Sequence, residues 1–485
     1  MSTLIKNGQI VTENEILKSD ILIEDGKLID IYDSNQDASQ LTELSSSDCQ
    51  GQSSRGSSAH SRKAEVIDAT GLLIFPGLID CHVHFREPGM EEVEDMTSGS
   101  QSALHGGVTT VCDMPNNSPA INTIRALDEK IERKKHALLD RVRPQADEWR
   151  DASRFDSLRG ASLEESFSKV DIRFFFGASK PEHIEELKKV DTEKICGVKL
   201  YMGNSTGNQK AEEGIEEQVF KVCSERNITL VCHCEDEQTI QKNKSENTNS
   251  EIAAHSEIRS VEAAVKSTKY AIELGKKYGT KLHIAHVSTS DELELIKLAK
   301  DSGQTVTCEV APHHLFLNTD DYETLGTLAK MNPPIRTKDH CEKLWEGVVD
   351  GTVDCISSDH APHTLESKNT KDPLSAPSGV PGTETILPLL LSCIEGGGAT
   401  EPAKRLGKGM PKLKPEDIVR LMHTNPNKIF GLGKGCLAPG NPVNLCLVNP
   451  NEEYSMGVAN LHSKCGWTPY EGWNVQGKVV KVIVG

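Results

Sequence analysis

A chain of 485 residues with 36% hydrophobic content is too long for one small domain and long enough for a large barrel with a smaller companion. Its 54 basic residues against 72 acidic ones give a net charge of -18, which argues against nucleic acid or an anionic membrane as partner. No apolar run approaches the length of a membrane span, no signal-peptide pattern opens the chain and no CxxC pair appears. A soluble cytoplasmic protein with reduced thiols at its 14 cysteines is therefore expected.

In chain order, residues 3–32 alternate apolar and polar positions around the turns Asn7-Gly8 and Asp25-Gly26, the pattern of a hairpin-rich antiparallel sheet. Residues 36–63 become rich in Ser, Gln, Asp and Gly, and this insertion is expected to stay disordered, since it cannot bury enough apolar surface to offset its ordering entropy. Strand character returns at 64–69, and the apolar run 72–79 reads as a buried strand leading into Asp80-Cys81-His82-Val83-His84-Phe85-Arg86. Side chains alternate faces on a strand, so His82 and His84 project together and make half a metal site, although histidines at a strand end could equally satisfy local hydrogen bonds. By the same alternation Cys81, and Cys232 and Cys234 beside His233, are expected to point outward as packing residues.

From there short apolar strands alternate with longer helical stretches. Strands are expected at 107–114, 172–176, 197–202, 228–232, 281–287, 305–310 and 353–357, and helices at 120–138, 181–189, 260–278 and 290–300. With the strand ending near Cys81 this makes eight β-α units. Residues 139–168 read as a polar insertion, and 437–440, 443–448 and 478–484 return to turn-separated strands. The fold class is α/β: a TIM-like (β/α)8 barrel over 76–431, with a small composite β-sandwich built from both chain ends, 1–75 and 432–485.

Barrel enzymes place their chemistry at the C-terminal ends of strands, and here several of those ends carry ligand-type residues. Beside His82 and His84 stand Lys199 in Gly-Val-Lys-Leu-Tyr-Met, His233 in Val-Cys-His-Cys, His286 in His-Ile-Ala-His-Val and Asp359 in Ser-Ser-Asp-His-Ala-Pro-His. The pair His313-His314 is read as structural, and His360 is left unassigned. The segment 376–383, with its glycines, either lines the pocket or is a Pro-Gly loop of structural value only.

Six motifs then carry a resemblance: Pro76-Gly77-Leu78-Ile79-Asp80-Cys81-His82-Val83-His84-Phe85-Arg86-Glu87-Pro88-Gly89, Asp113-Met114-Pro115-Asn116, Lys199-Leu200-Tyr201-Met202-Gly203-Asn204-Ser205, Ala311-Pro312-His313-His314, Met331-Asn332-Pro333-Pro334 and Ser358-Asp359-His360-Ala361-Pro362-His363. Over nearly the whole chain the sequence resembles the dihydroorotases of the amidohydrolase superfamily. The resemblance implies reversible, zinc-dependent cyclisation of N-carbamoyl-L-aspartate to L-dihydroorotate, a step of de novo pyrimidine (UMP) biosynthesis. It also implies two zinc ions, one on His82, His84 and Asp359, the other on His233 and His286, bridged by an N-carboxylated Lys199. The loop 203–210 contains no acid that could replace that bridge. Asp359 is the implied catalytic acid and base, while Arg86, Asn116, Asn332 and His363 are the implied substrate contacts. A homo-oligomer, in its simplest form a dimer, is expected. Allantoinase or dihydropyrimidinase is the alternative activity. A non-catalytic dihydropyrimidinase-like scaffold is disfavoured because every ligand is kept.

Overall fold

Among the residues described by the computed structural model, 2–33, 65–139, 170–205, 209–407, 409–435 and 437–485, the named strands fall into two sheets. The expected insertions at 36–63 and 139–168 lie outside the described residues, save Leu139 at the end of a helix.

The first sheet has seven strands and combines both ends of the chain. Its order is β15 (Asn474–Val484), β14 (Asn444–Ser455), β5 (Leu73–Pro76), β1 (Ser2–Val11), β2 (Ile16–Glu24) and β3 (Lys27–Asp33), with β4 (Glu65–Asp68) also paired to β1. Asp25 at φ 47° and Gly26 at φ 76° turn the chain from β2 into β3, the double left-handed geometry that suits a tight hairpin. Ile5, Ile10, Ile21, Ile23, Ile67, Ile74, Leu445 and Leu447 form a core drawn from this layer alone. Residues 437–440 make a turn instead of the expected strand, with Gly440 at φ 88°.

The second sheet is the barrel: β6 (Leu78–Val83), β7 (Val108–Asp113), β8 (Asp171–Gly177), β9 (Gly197–Tyr201), β10 (Leu230–His233), β11 (Leu282–Ile284), β12 (Val306–Val310) and β13 (Cys355–Ile356), paired in sequence order and all parallel. First and last strands meet through a parallel bridge between Val83 and His360, and the Ser358 amide donates to Asp80 Oδ1 at 3.0 Å. The apolar run 72–79 is thus two strands, one for each sheet, broken at Gly77. A Cβ there would lie 2.2 Å from Thr109 Oγ1 and 2.7 Å from Asn444 Cβ, so only glycine fits where sheet and barrel touch.

The expected helices stand at Ile124–Leu139, Pro181–Leu187, Val261–Tyr278 and Ser290–Asp301. The last is fixed by a capping box, in which Thr289 takes the Glu292 amide and Glu292 reaches back to Thr289. Met96–His105, Ile215–Glu225, Glu237–Glu246 and Lys338–Asp350 are further helices between the strands. Outward strand residues such as Val111, Val198, Leu200 and Leu230 share one large core with the helices, while Ile79, Cys81, Cys112, Phe175, Val231 and Cys355 form a separate cluster from alternate strand positions inside the barrel. Cys81 therefore points inward, contrary to expectation. The β6–β7 register shifts between Asp80 and Val83, so strict alternation fails just before the histidines.

A buried ion pair ties a helix to the barrel mouth. Lys130 Nζ lies 2.7 Å from Asp113 Oδ2 and 2.6 Å from Asn117 Oδ1, and the backbone amide of Phe85 donates to Asp113 Oδ1 at 3.0 Å. Neither charged side chain is exposed. Lys130→Met, which strands the Asp113 carboxylate, is expected to lower stability by about 3–5 kcal/mol in a chemical-denaturation titration, against less than about 1 kcal/mol if the pair is idle.

Candidate metal centre

At the C-terminal mouth of the barrel, His82 and Lys199 project from β6 and β9 and His233 from the end of β10. His84, His286 and Asp359 follow β6, β11 and β13 within a few residues. These six line one cavity with Arg86, Asn116 and Asn332. His363 stands behind that wall, its Nε2 3.3 Å from Arg86 Nη2. All ten residues singled out from the sequence are thereby brought to one place. Arg86, His286 and Asp359 hold left-handed backbone conformations, with φ of 58°, 36° and 45°, a strain that concentrates where side chains must be aimed.

Three of the four imidazoles have one nitrogen tied down, and the Nδ1 of the fourth, His286, has no hydrogen-bond partner among the described residues. His84 Nδ1 meets Asn116 Oδ1 at 2.6 Å, His233 Nε2 meets Glu235 Oε2 at 2.9 Å, and His82 Nδ1 is paired with Glu309. A ring that donates through one nitrogen carries its lone pair on the other. Those other nitrogens converge: His82 Nε2 and His84 Nε2 lie 3.4 and 3.1 Å from Asp359 Oδ1, and His233 Nδ1 lies 3.0 Å from His286 Nε2. Donor atoms of His82, His286 and Asp359 all fall within 4.8 Å of one another. Burial lowers all four imidazoles from the ordinary histidine value, which favours their neutral form.

Lys199 is the other buried donor. Its Nζ has no hydrogen-bond partner among the described residues and lies 5.2 Å from the Tyr201 ring centroid. Burial lowers its pKa, outweighing the attraction of Glu309 and Asp359, which favours the uncharged amine. Four neutral imidazoles, a carboxylate and an amine without a partner form a donor set that fits divalent metal.

The substrate side of the cavity centres on Arg86. Its Nε donates to Pro362 O at 3.1 Å, whereas its buried Nη1 has no hydrogen-bond partner among the described residues. Burial brings the guanidinium down to about 10, which leaves it charged at neutral pH. Asn332 Oδ1 is held by His255 Nε2 at 3.1 Å. Of 376–383, Ser378 and Gly379 line the cavity, and a Cβ on Gly379 would lie 2.4 Å from Ala361 O. His313 and His314 are buried in the short helix Pro312–Phe316, with His314 Nε2 3.0 Å from Pro333 O. His360 takes the Gly382 amide at 3.1 Å and faces Glu94 at 3.4 Å.

Sequence reasoning missed the carboxylates behind these imidazoles. Glu309 pairs with His82 and lies 3.3 Å from His283 Nε2. Burial would raise its carboxyl, but His82 and His283 outweigh that and hold it well below the usual range. Glu235 is likewise kept ionised against burial by Arg259 and His233. The available signal was a lone carboxylate inside an apolar strand, Val306–Val310. The described cysteines are all buried free thiols, as expected of packing residues.

The sequence pattern of the amidohydrolase family matches residues 73–485. A dihydroorotase from Halobacterium salinarum is 35% identical over 405 residues, covering 82% of this chain and 82% of the relative. Another, from Methanosarcina mazei, is 32% identical over 96% of this chain and 90% of the relative. An L-hydantoinase (dihydropyrimidinase) from Arthrobacter aurescens superposes with a TM-score of 0.80 at 28% identity, covering 99% of this chain and 94% of its own. Motifs, barrel and relatives agree, and the chain belongs to the amidohydrolase family, among its dihydroorotases.

Proposed function

We propose that the chain interconverts N-carbamoyl-L-aspartate and L-dihydroorotate with two zinc ions, held by His82, His84 and Asp359 and by His233 and His286, with Lys199 as an N-carboxylated bridge. The observation that carries this reading is Arg86, a buried guanidinium with an unengaged Nη1 in the same cavity as the converging imidazoles and Asp359. When bound, such ions supply water that ionises near neutral pH and polarise the carbonyl under attack. A protonated amine cannot bridge two cations, so the neutral lysine nitrogen would first add CO2 and release a proton to become an anionic carbamate. The depressed basicity of Lys199 helps, because only the free amine adds CO2.

Asp359 is the proton carrier. Burial lifts its carboxyl above the usual range, which strengthens it as a base. In ring opening it accepts a proton from the attacking water and delivers it to the departing ring nitrogen. In ring closure it takes the proton from the ureido nitrogen that attacks the side-chain carboxyl and returns it to the carboxyl oxygen that departs, which leaves as water. Arg86 grips the carboxylate that stays outside the ring in both directions, with His363 and Asn116 beside it. Asn332, fixed by His255, meets the ring. Free buried thiols at the described cysteines are in keeping with a reducing compartment, the cytoplasm.

A second reading, hydantoin or dihydropyrimidine hydrolysis, draws on the likeness to the Arthrobacter aurescens L-hydantoinase. Arg86 separates the two, since dihydrouracil has no carboxylate for it. The wild-type protein is expected to turn over dihydroorotate in preference to allantoin and dihydrouracil, and to carry about two zinc ions per chain by elemental analysis. Absence of dihydroorotate turnover overturns the reading. Arg86→Met should reduce kcat/KM for dihydroorotate about 10- to 100-fold, the value of a lost charge-assisted hydrogen bond, while dihydrouracil turnover is unaffected. Lys199→Ala should lose activity and recover part of it with short carboxylic acids in the assay; unchanged activity refutes the carbamate.

A further inference from the structure

Two lysines lie buried beside the cavity with no carboxylate within 4.0 Å of either among the described residues. Lys368 Nζ donates to three backbone carbonyls, those of Lys330 at 2.9 Å, Pro377 at 3.1 Å and Gly379 at 2.9 Å. Lys330 Nζ donates to the carbonyls of Leu374, at 2.7 Å, and Ala376, and Lys330 O also accepts from the Gly379 amide at 2.9 Å. Lys368 is fully buried and Lys330 nearly so. Burying an ammonium without a counter-ion is costly, and surface lysines could cap loop carbonyls at far less expense.

The segments they join are the ones that matter for substrate. Lys330 precedes Met331-Asn332, and the clamped carbonyls at 377 and 379 flank Ser378, whose own carbonyl meets His363 Nε2 at 3.1 Å. His363 in turn touches Arg86. Lys368 Nζ also lies 5.5 Å from the ring of Trp467, whose indole donates to His363 O at 2.7 Å. One ammonium thus fixes the wall at Ser378-Gly379, the start of the Asn332 segment and the support beneath the Arg86–His363 corner. Burial and the neighbouring Lys330 bring Lys368 down to about 7, yet three carbonyl acceptors call for three N–H bonds, which only the ammonium has.

We propose that Lys368, assisted by Lys330, is a positioning residue for the substrate carboxylate: it sets the spacing between the Ser378-Gly379 wall and the Arg86–His363 corner and adds buried positive charge behind them. This rests on the reading of Arg86 as the carboxylate clamp. Asp372 attracts Lys330 from beyond 4.0 Å, whereas among the described residues the only charged neighbour felt by Lys368 is Lys330 itself; the Lys368 charge is balanced when an anionic substrate enters, and a wall held by three hydrogen bonds does not need to be ordered at that moment. The metal ligands are not among the clamped residues, so the chemical step and the metal content should be spared.

The test is steady-state kinetics of zinc-loaded Lys368→Met and wild-type protein with dihydroorotate, together with zinc content and thermal unfolding. The expected result is a KM raised about tenfold, kcat within about twofold and unchanged zinc. An active wild type with unchanged KM in a folded variant overturns the inference and leaves the proposed activity standing, as does a fall in kcat alone. An inactive wild type overturns the proposed activity, and this inference with it. If Lys368→Met does not fold, Lys330→Met, which removes two of the five clamp bonds, is read by the same criteria.

Discussion

Three of the four imidazoles of the centre share one constraint: an imidazole offers a lone pair in a fixed direction when its other nitrogen is held. Asn116, Glu235 and Glu309 do this for His84, His233 and His82. Without these partners the rings could flip or take a proton, and convergence on Asp359 would be lost. Burial completes the arrangement by disfavouring the charged imidazolium. The carboxylates that orient the rings stay ionised in the same dry interior because each faces a cation or a ring N–H. The charges of the site are therefore interdependent, and removing any one leaves a neighbour stranded.

The barrel supplies that geometry through its strand ends. Alternation sets Lys199 and His233 inward on β9 and β10, while the register shift in β6 moves His82 and His84 into line despite the inward Cys81. Left-handed backbone at Arg86, His286 and Asp359 then aims residues that lie just beyond regular strands. The strain is affordable because hydrogen bonds on both sides fix it, such as His84 N to His360 O at 2.7 Å.

Much of this could be read from the sequence. The strand periods placed the eight barrel strands to within a few residues, because fully apolar runs bounded by turns leave little choice. The donor residues of the candidate site showed themselves as histidines, a lysine and an aspartate breaking otherwise apolar strand ends. Legibility failed where the cause was long-range. Gly77 divides one apolar run into two strands because Thr109 and Asn444 press on it from elsewhere in the fold. The inward turn of Cys81 follows from a register shift visible only in the paired strand. Glu309 and Glu235 look like ordinary acids until His82, His283 and Arg259 are seen around them.

The seam of the barrel coincides with the donor cluster. His84 and Asp359 meet across 275 positions of sequence, at the junction of the first and last strands. A polypeptide still emerging from the ribosome carries the histidine pair long before it carries the carboxylate opposite. The donor set is therefore complete only with the last strand in place. A product ending before the last strand would keep the four histidines and Lys199 and lack the Asp359 carboxylate that faces His82 and His84.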